Sequence, residues 1–219
     1  MPFRIDPALI PPHPDLQFEE ALWGEGIEQV AGVDEAGRGA LAGPVVAAAL
    51  ILPPDPEVRR SLGGVRDSKQ MTPRQRDFWA DRLRDVSLGW GVGFASSQEV
   101  DAVGVISATR QAAYRALRAL AEPPAHLLLD YLLLPEVSIP QTSLAKGDAR
   151  SLTIAAASII AKTTRDSFMC ELNVRYPGYA FEAHKGYGTT YHRGAIARLG
   201  PSPVHRMTFA PLRCLDEST

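Results

Sequence analysis

Residues 30–54 read VAGVDEAGRGALAGPVVAAALILPP. From Ile27 to Asp34 the chain alternates and then turns apolar, which predicts a strand. The following GRGALAGP, residues 37–44, has the glycines and proline of a tight loop. Val45 to Leu52 is a continuous apolar run closed by Pro53-Pro54, the pattern of a second, buried strand. Two carboxylates, Asp34 and Glu35, stand between the first strand and the loop. Neighbouring strand residues point to opposite faces. A pair that serves one site must therefore sit where the chain is turning. Desolvating two adjacent acids without compensation is costly, so a purely structural role for the pair is hard to sustain.

Working outward, residues 1–24 are rich in proline and read as an N-terminal arm, not a core element. Residues 63–69 read as a loop. Thr72-Pro73 is an N-cap followed by proline at the first helical position, which opens a helix to about Val86. SLGWGVGFA, residues 87–95, is a third strand. Ser97 is expected to cap a short helix. Val105 to Leu120 has helical spacing, with Ile106, Ala113, Leu117 and Leu120 on one side. HLLLD, residues 126–130, is a short apolar strand ending in an acid, and residues 142–146 form a further short strand. Ser151 to Tyr176 is one long helix stopped by Pro177-Gly178. The remainder is loop and short helix, rich in His, Lys, Arg and Tyr. Strands that come first and then alternate with helices predict an α/β or mixed-sheet core with helices on its faces.

The 219 residues, 45% apolar and 22% charged, are enough for one large domain with a real core. The N-terminus lacks the basic start and apolar run of a signal peptide. No stretch approaches the roughly 18 apolar residues of a membrane span. Cys170 and Cys214, the two cysteines, have no partners at zinc-ligand spacing, and are expected to be reduced thiols in a cytoplasmic protein. The net charge of −2 argues against a nucleic-acid binder that works by bulk positive charge. The charge is uneven, however. Residues 141–219 hold ten Lys and Arg against six Asp and Glu, so the first 140 residues are acidic overall. Such a division suits an enzyme that holds cations in one place and phosphates in another.

Asp130 ends its strand and Asp148 lies in KGD just before the long helix. Brought together with Asp34 and Glu35, they would repel one another and raise their own pKa values. Cations relieve that, and all-oxygen ligation points to Mg²⁺ or Mn²⁺ rather than zinc. Other readings stand beside this one. Asp148 can cap the long helix and Asp130 can be a turn residue. Gly37-Arg38-Gly39 is either a plain turn or a backbone surface that approaches a sugar or phosphate closely. Lys69, Lys146, Lys162, Arg165 and Lys185 are phosphate ligands or solvated charges. Tyr187, in the glycine-bounded HKGYGT, packs on a sugar or base or is a local staple.

VAGVDEAGRGALAGPVVAAALIL resembles the opening of the ribonuclease HII family. DSKQMTPRQR, KGDARSLTIAAASIIAKTTRD, YPGYAFEAHKGYGTTYH and GPSPVHRMTF resemble its later segments, in order, from about residue 24 to 211. The resemblance implies a ribonuclease H-like fold: a mixed five-stranded sheet flanked by helices, with a C-terminal helical extension. It divides the chain into an arm (1–24), a catalytic core (25–176) and a substrate-contacting extension (177–219). It implies four metal-binding acids, Asp34, Glu35, Asp130 and Asp148, with two Mg²⁺ or Mn²⁺ ions. It further implies that Gly37, Arg38 and Gly39 sense a ribose 2′-hydroxyl and that Tyr187 completes the sensing. The expected activity is two-metal hydrolysis of the RNA strand of RNA/DNA hybrids, and incision 5′ of ribonucleotides embedded in duplex DNA. Two departures stand out. Tyr131 follows the third acid where the family often has glycine, and Gly104 stands where it often has asparagine. The alternatives are a ribonuclease HIII-like enzyme, whose additional N-terminal domain 24 residues are too few to form, and a non-catalytic nucleic-acid binder on the same fold. A monomer is the default expectation, and a sliding-clamp docking motif is not evident in APLRCLDEST.

Overall fold

The structure, a computed structural model, describes residue 6 and residues 10–213; Cys214 and most of the final APLRCLDEST segment lie outside the described residues. The strands are β1 (Val30–Ala36), β2 (Val45–Ile51), β3 (Gly89–Ala95), β4 (His126–Asp130) and β5 (Gln141–Leu144). They form one five-stranded sheet in the order β3-β2-β1-β4-β5. β2 is antiparallel to both β1 and β3, whereas β4 is parallel to β1 and to β5, so the sheet is mixed.

The apolar run of β2 is continuous because both its faces are covered. Ala48 and Leu50 pack with α3 (Pro73–Val86) and α6 (Leu152–Arg175) on one face. Val45, Ala47, Ala49 and Ile51 pack with α5 (Val105–Arg118) on the other. Small residues bring these helices close. A Cβ added at Gly32 of β1 would lie 2.4 Å from the Thr153 carbonyl of α6. One added at Gly93 of β3 would lie 2.1 Å from the Ala112 carbonyl of α5.

Helix starts follow capping chemistry. Thr72 and Gln75 form a reciprocal capping box at α3, with Pro73 in the first turn. Ser151 caps α6 through the Ile154 N–H. The short α4 (Ser97–Val103) is capped by Ser96 with Glu99, one residue before the serine expected, because only Ser96 lies three residues from the glutamate. α2 (Val58–Ser61) is a single turn.

The N-terminal residues depart from the expected arm. Residues 17–24 form α1 (Gln17–Gly24). Leu16 is buried in the core, and the buried Glu19 accepts hydrogen bonds from Ser151 Oγ at 2.6 Å and the Thr153 N–H at 2.9 Å. The prolines stop at Pro14, so the residues after it are free to form a helix. At the other end, α7 (Phe181–His184) and α8 (Thr190–Leu199) pack with α6 and with Leu41 and Ala42 of the glycine loop. No described helix is long and apolar enough to cross a membrane.

Candidate active site

Parallel pairing of β1 with β4 ends at Val33↔Leu129. The next residue on each strand is an acid, Asp34 and Asp130. The two therefore stand side by side where the strands part, the usual place for a site in such sheets. Asp148 reaches the same point from a 3-10 turn (Gly147–Ala149) that leads into α6. One carboxylate oxygen from each of Asp34, Asp130 and Asp148 lies within 4.8 Å of the others. Asp34 and Asp148 are buried. Asp148 is thus not the cap of α6, a role that Ser151 and Glu19 fill.

Fixed donors hold the acids. Asp34 Oδ1 accepts the Glu35 N–H at 2.7 Å, and Asp130 Oδ1 accepts the Gly147 N–H at 2.7 Å. Lys69 Nζ donates to Asp148 Oδ2 at 3.0 Å. Ser158 of α6 is directed at Asp34 and shares a 2.9 Å hydrogen bond with Ser68. Burial pushes the Asp34 carboxyl well above the usual range, and the charges of Glu35 and Asp130 add to it. Burial, then Asp148, pushes Asp130 up to about 6. Burial pulls Lys69 down, but the charge and hydrogen bond of Asp148 more than reverse this and leave it above the usual lysine value. Three converging carboxylates, with Asp34 and Asp130 held above the usual range, are a donor set short of positive charge. A hard divalent cation fits it in both charge and ligand type.

Glu35 is placed differently from the other three acids. Its carboxylate pairs with Arg38 at 3.0 Å, outside the group formed by the three aspartates. β1 continues to Ala36, with Glu35 paired to Ala47 of β2, so the chain turns two residues later than expected. Burial raises the Glu35 pKa, with Arg38 opposing.

The loop after β1 is built around two buried guanidinium groups. Arg165 is fully buried and donates to the carbonyls of Pro44 (2.9 Å), Lys185 (2.9 Å) and Ala42 (3.1 Å). It is therefore not placed to meet phosphate. Gly37 has φ +92°, and a Cβ there would lie 2.0 Å from Arg165 Nε. The Arg165 guanidinium also lies 5.5 Å from the centre of the Tyr187 ring, so it joins Gly37 to Tyr187. Arg206, also fully buried, donates to the carbonyls of Gly43 and Arg38. Sequence reasoning missed Arg206, Ser158 and Glu19. Ser158 left a signal as the lone polar residue in IAAASIIA.

The model of the ribonuclease HII family matches residues 31–212. A ribonuclease HII of Synechococcus sp. (strain JA-3-3Ab) is 54% identical over 205 residues, 93% of this chain and 91% of that protein. The chain belongs to the ribonuclease HII family. A second ribonuclease HII, from Syntrophotalea carbinolica, is 48% identical over 198 residues, 90% of this chain and 93% of that protein. The crystal structure of ribonuclease H2 from Pyrococcus horikoshii OT3 superposes with TM-score 0.72 at 27% identity, covering 86% of this chain and 97% of that one. The ribonuclease H-like fold expected from the sequence is the fold observed. As a member of that family, the chain is a metal-dependent endoribonuclease.

The remaining substrate-side candidates fall in two groups, one around a cleft and one beside Asp148. A cleft of about 610 Å³ is lined by Arg76, Lys162, Asp166, Lys185 and Tyr187, among others. Lys162 pairs with Asp166 at 2.7 Å. Lys185 donates to the Glu182 carbonyl and to Cys170 Sγ. Lys146 is exposed on the loop before Asp148 and Lys69 is exposed beside it. Tyr187 is 38% exposed. Tyr131, the departure beside the third acid, has φ +48°, a conformation that glycine takes without strain. Gly104, at φ +78°, forms the joint between α4 and α5.

Proposed function

We propose that the chain hydrolyses the RNA strand of RNA/DNA hybrids and incises duplex DNA on the 5′ side of embedded ribonucleotides, leaving 3′-hydroxyl and 5′-phosphate ends. The observation that carries this reading is the convergence of Asp34, Asp130 and Asp148 where β1 and β4 part, next to a backbone loop locked to Tyr187. Two Mg²⁺ or Mn²⁺ ions held by these acids, with Glu35, would acidify the attacking water and stabilise charge on the departing 3′-oxygen. Gly147 and Ser158 hold the carboxylates of Asp130 and Asp34 in place. Arg38 restrains Glu35. The Gly37-Arg38-Gly39 backbone and Tyr187 meet the sugar, because the 2′-hydroxyl is what separates RNA from DNA at one position. Lys69, Lys146, Lys162 and Lys185 meet phosphates, while Arg165 supports the loop from below. In this reading residues 25–176 are the catalytic core, residues 177–219 carry substrate contacts, residues 1–24 flank the core, and the enzyme acts as a cytoplasmic monomer.

The test is cleavage of a DNA duplex bearing one ribonucleotide, with Mg²⁺, with Mn²⁺ and with chelator. Metal-dependent incision 5′ of the ribonucleotide is expected. Cutting of long hybrids alone would favour a ribonuclease HIII-like activity, and binding without cutting a non-catalytic binder. Tyr187→Ala is expected to lose more activity on the single ribonucleotide than on the hybrid. Equal losses would remove its sensing role.

A further inference from the structure

Behind Tyr187 lie three of the chain's five histidines, His184, His192 and His205. His184 and His192 stack with ring centres 4.3 Å apart and planes at 17°. His192 Nε2 and His205 Nε2 are 3.1 Å apart, both rings buried.

Their partners dictate where the protons sit. His192 Nδ1 faces the Tyr187 carbonyl at 3.0 Å, and a carbonyl only accepts, so Nδ1 carries the proton. In the neutral ring Nε2 is then an acceptor, and His205 Nε2 is the donor across the 3.1 Å contact. His205 Nδ1 is left as an acceptor: it receives the Ser202 N–H at 2.9 Å and the Ser202 hydroxyl at 2.8 Å, two donors that are nearer than the Ser202 carbonyl at 3.3 Å. His184 follows the same logic. Its Nε2 donates to the Tyr179 carbonyl at 2.8 Å, and its Nδ1 accepts the Gly186 N–H at 3.2 Å. All three rings are satisfied as neutral imidazoles, each in one tautomer. A further proton on the His192–His205 pair would set donor against donor. Burial lowers the pKa of all three, and His192 helps bring His205 down to about 4.

The cluster acts on one short piece of backbone. His184 takes the Gly186 N–H, its own carbonyl takes the Tyr187 N–H at 3.0 Å, and His192 donates to the Tyr187 carbonyl. The Gly186 carbonyl in turn accepts the Leu41 N–H at 2.8 Å, which fixes the segment against the glycine loop. The Tyr187 ring is partly exposed and lies against the Arg165 guanidinium on one side, and the backbone that carries it is set by the histidines.

We propose that His184, His192 and His205 are positioning residues for sugar recognition: a neutral, tautomer-locked relay that sets Tyr187 against the Gly37-Arg38-Gly39 loop. The proposal rests on the reading of Tyr187 as a sugar contact. Its test measures kcat/KM on the single-ribonucleotide duplex and on the RNA/DNA hybrid, for wild type, His205→Leu, His205→Gln, Tyr187→Ala and the double variant Tyr187→Ala/His205→Leu. His205→Leu removes the donor to His192, and the ratio of the two activities should fall roughly tenfold. His205→Gln keeps an N–H toward His192 and should hold the ratio within about twofold of wild type. The double variant should match Tyr187→Ala alone, as expected when both act through one group. If Tyr187→Ala lowers the ratio and His205→Leu does not, the relay has no positioning role while the reading of Tyr187 stands. If Tyr187→Ala leaves the ratio unchanged, that reading fails and the proposal fails with it. Equal losses on both substrates from His205→Leu also overturn the proposal. Should His205→Leu not fold, nitrogen NMR of the wild-type imidazoles decides. Neutral rings at pH 7 with the proton on Nδ1 of His192 and on Nε2 of His205 support the relay, and the opposite tautomer or an imidazolium overturns it.

Discussion

Asp34 makes no ion pair among the described residues: its charged neighbours are Glu35, Asp130 and Asp148, and it is held by the Glu35 N–H and by Ser158. Asp34→Asn keeps the shape and removes one charge from the ligand set. We expect turnover to fall by at least about a hundredfold, on the scale of losing one electrostatic contributor, with duplex binding largely kept because phosphate contacts supply most affinity. Rapid cutting by this variant in Mg²⁺ would contradict the site. Asp130 gives a second prediction. Its folded pKa, about 6, lies above the ordinary 3.8. Between these values the folded state holds a proton that the unfolded state has lost, so this group favours folding at low pH, and that contribution is lost as pH rises through about 6. In chelator, Asp130→Asn should therefore match wild-type stability near pH 4 and exceed it by up to about 3 kcal/mol at pH 7. Denaturant melts at both pH values check this. The three aspartates were legible in the sequence because Asp34 and Asp130 close apolar runs and Asp148 precedes a helix cap. Arg165 was misplaced because sequence position does not reveal burial, and its partners are carbonyls of residues 42, 44 and 185.

Helix α6 sets the distances on which the site depends. It rests on β1 at Gly32, carries Ser158 to Asp34, and sends Arg165 beneath Gly37. Gly32→Ala would push a methyl into the Thr153 carbonyl, where backbone cannot yield cheaply. We expect a loss of about 1–3 kcal/mol, the usual cost of overpacking, together with a drop in kcat as α6 moves off the strand. A thermal melt at unchanged activity would show that the displacement is absorbed elsewhere. Most elements could be read from periodicity and caps, since β2, α3 and α6 carry strong patterns. Helix α1 could not. QFEEALWG follows a run of prolines, and its docking depends on Ser151 and Thr153, more than a hundred residues away.

At the scale of the whole molecule, the acid cluster is a cost that a bound cation removes. Mg²⁺ or Mn²⁺ should raise the melting temperature, by about 2.7 kcal/mol of added stability at a hundred times Kd, and the increase should shrink in Asp34→Asn. An equal rise in both proteins would place the ion elsewhere. The N-terminal helix has a consequence for synthesis. Glu19 leaves the ribosome 132 residues before its partner Ser151. At typical elongation rates the interval is roughly 7 to 26 s. During it the helix lacks its α6 partner, and the buried carboxylate of the finished enzyme is bathed in water. The first helix made is thus among the last to be seated. A nascent chain that has already displayed Asp34 and Asp130 cannot complete the acid cluster until the segment bearing Asp148 emerges, three residues before the Ser151 that Glu19 awaits.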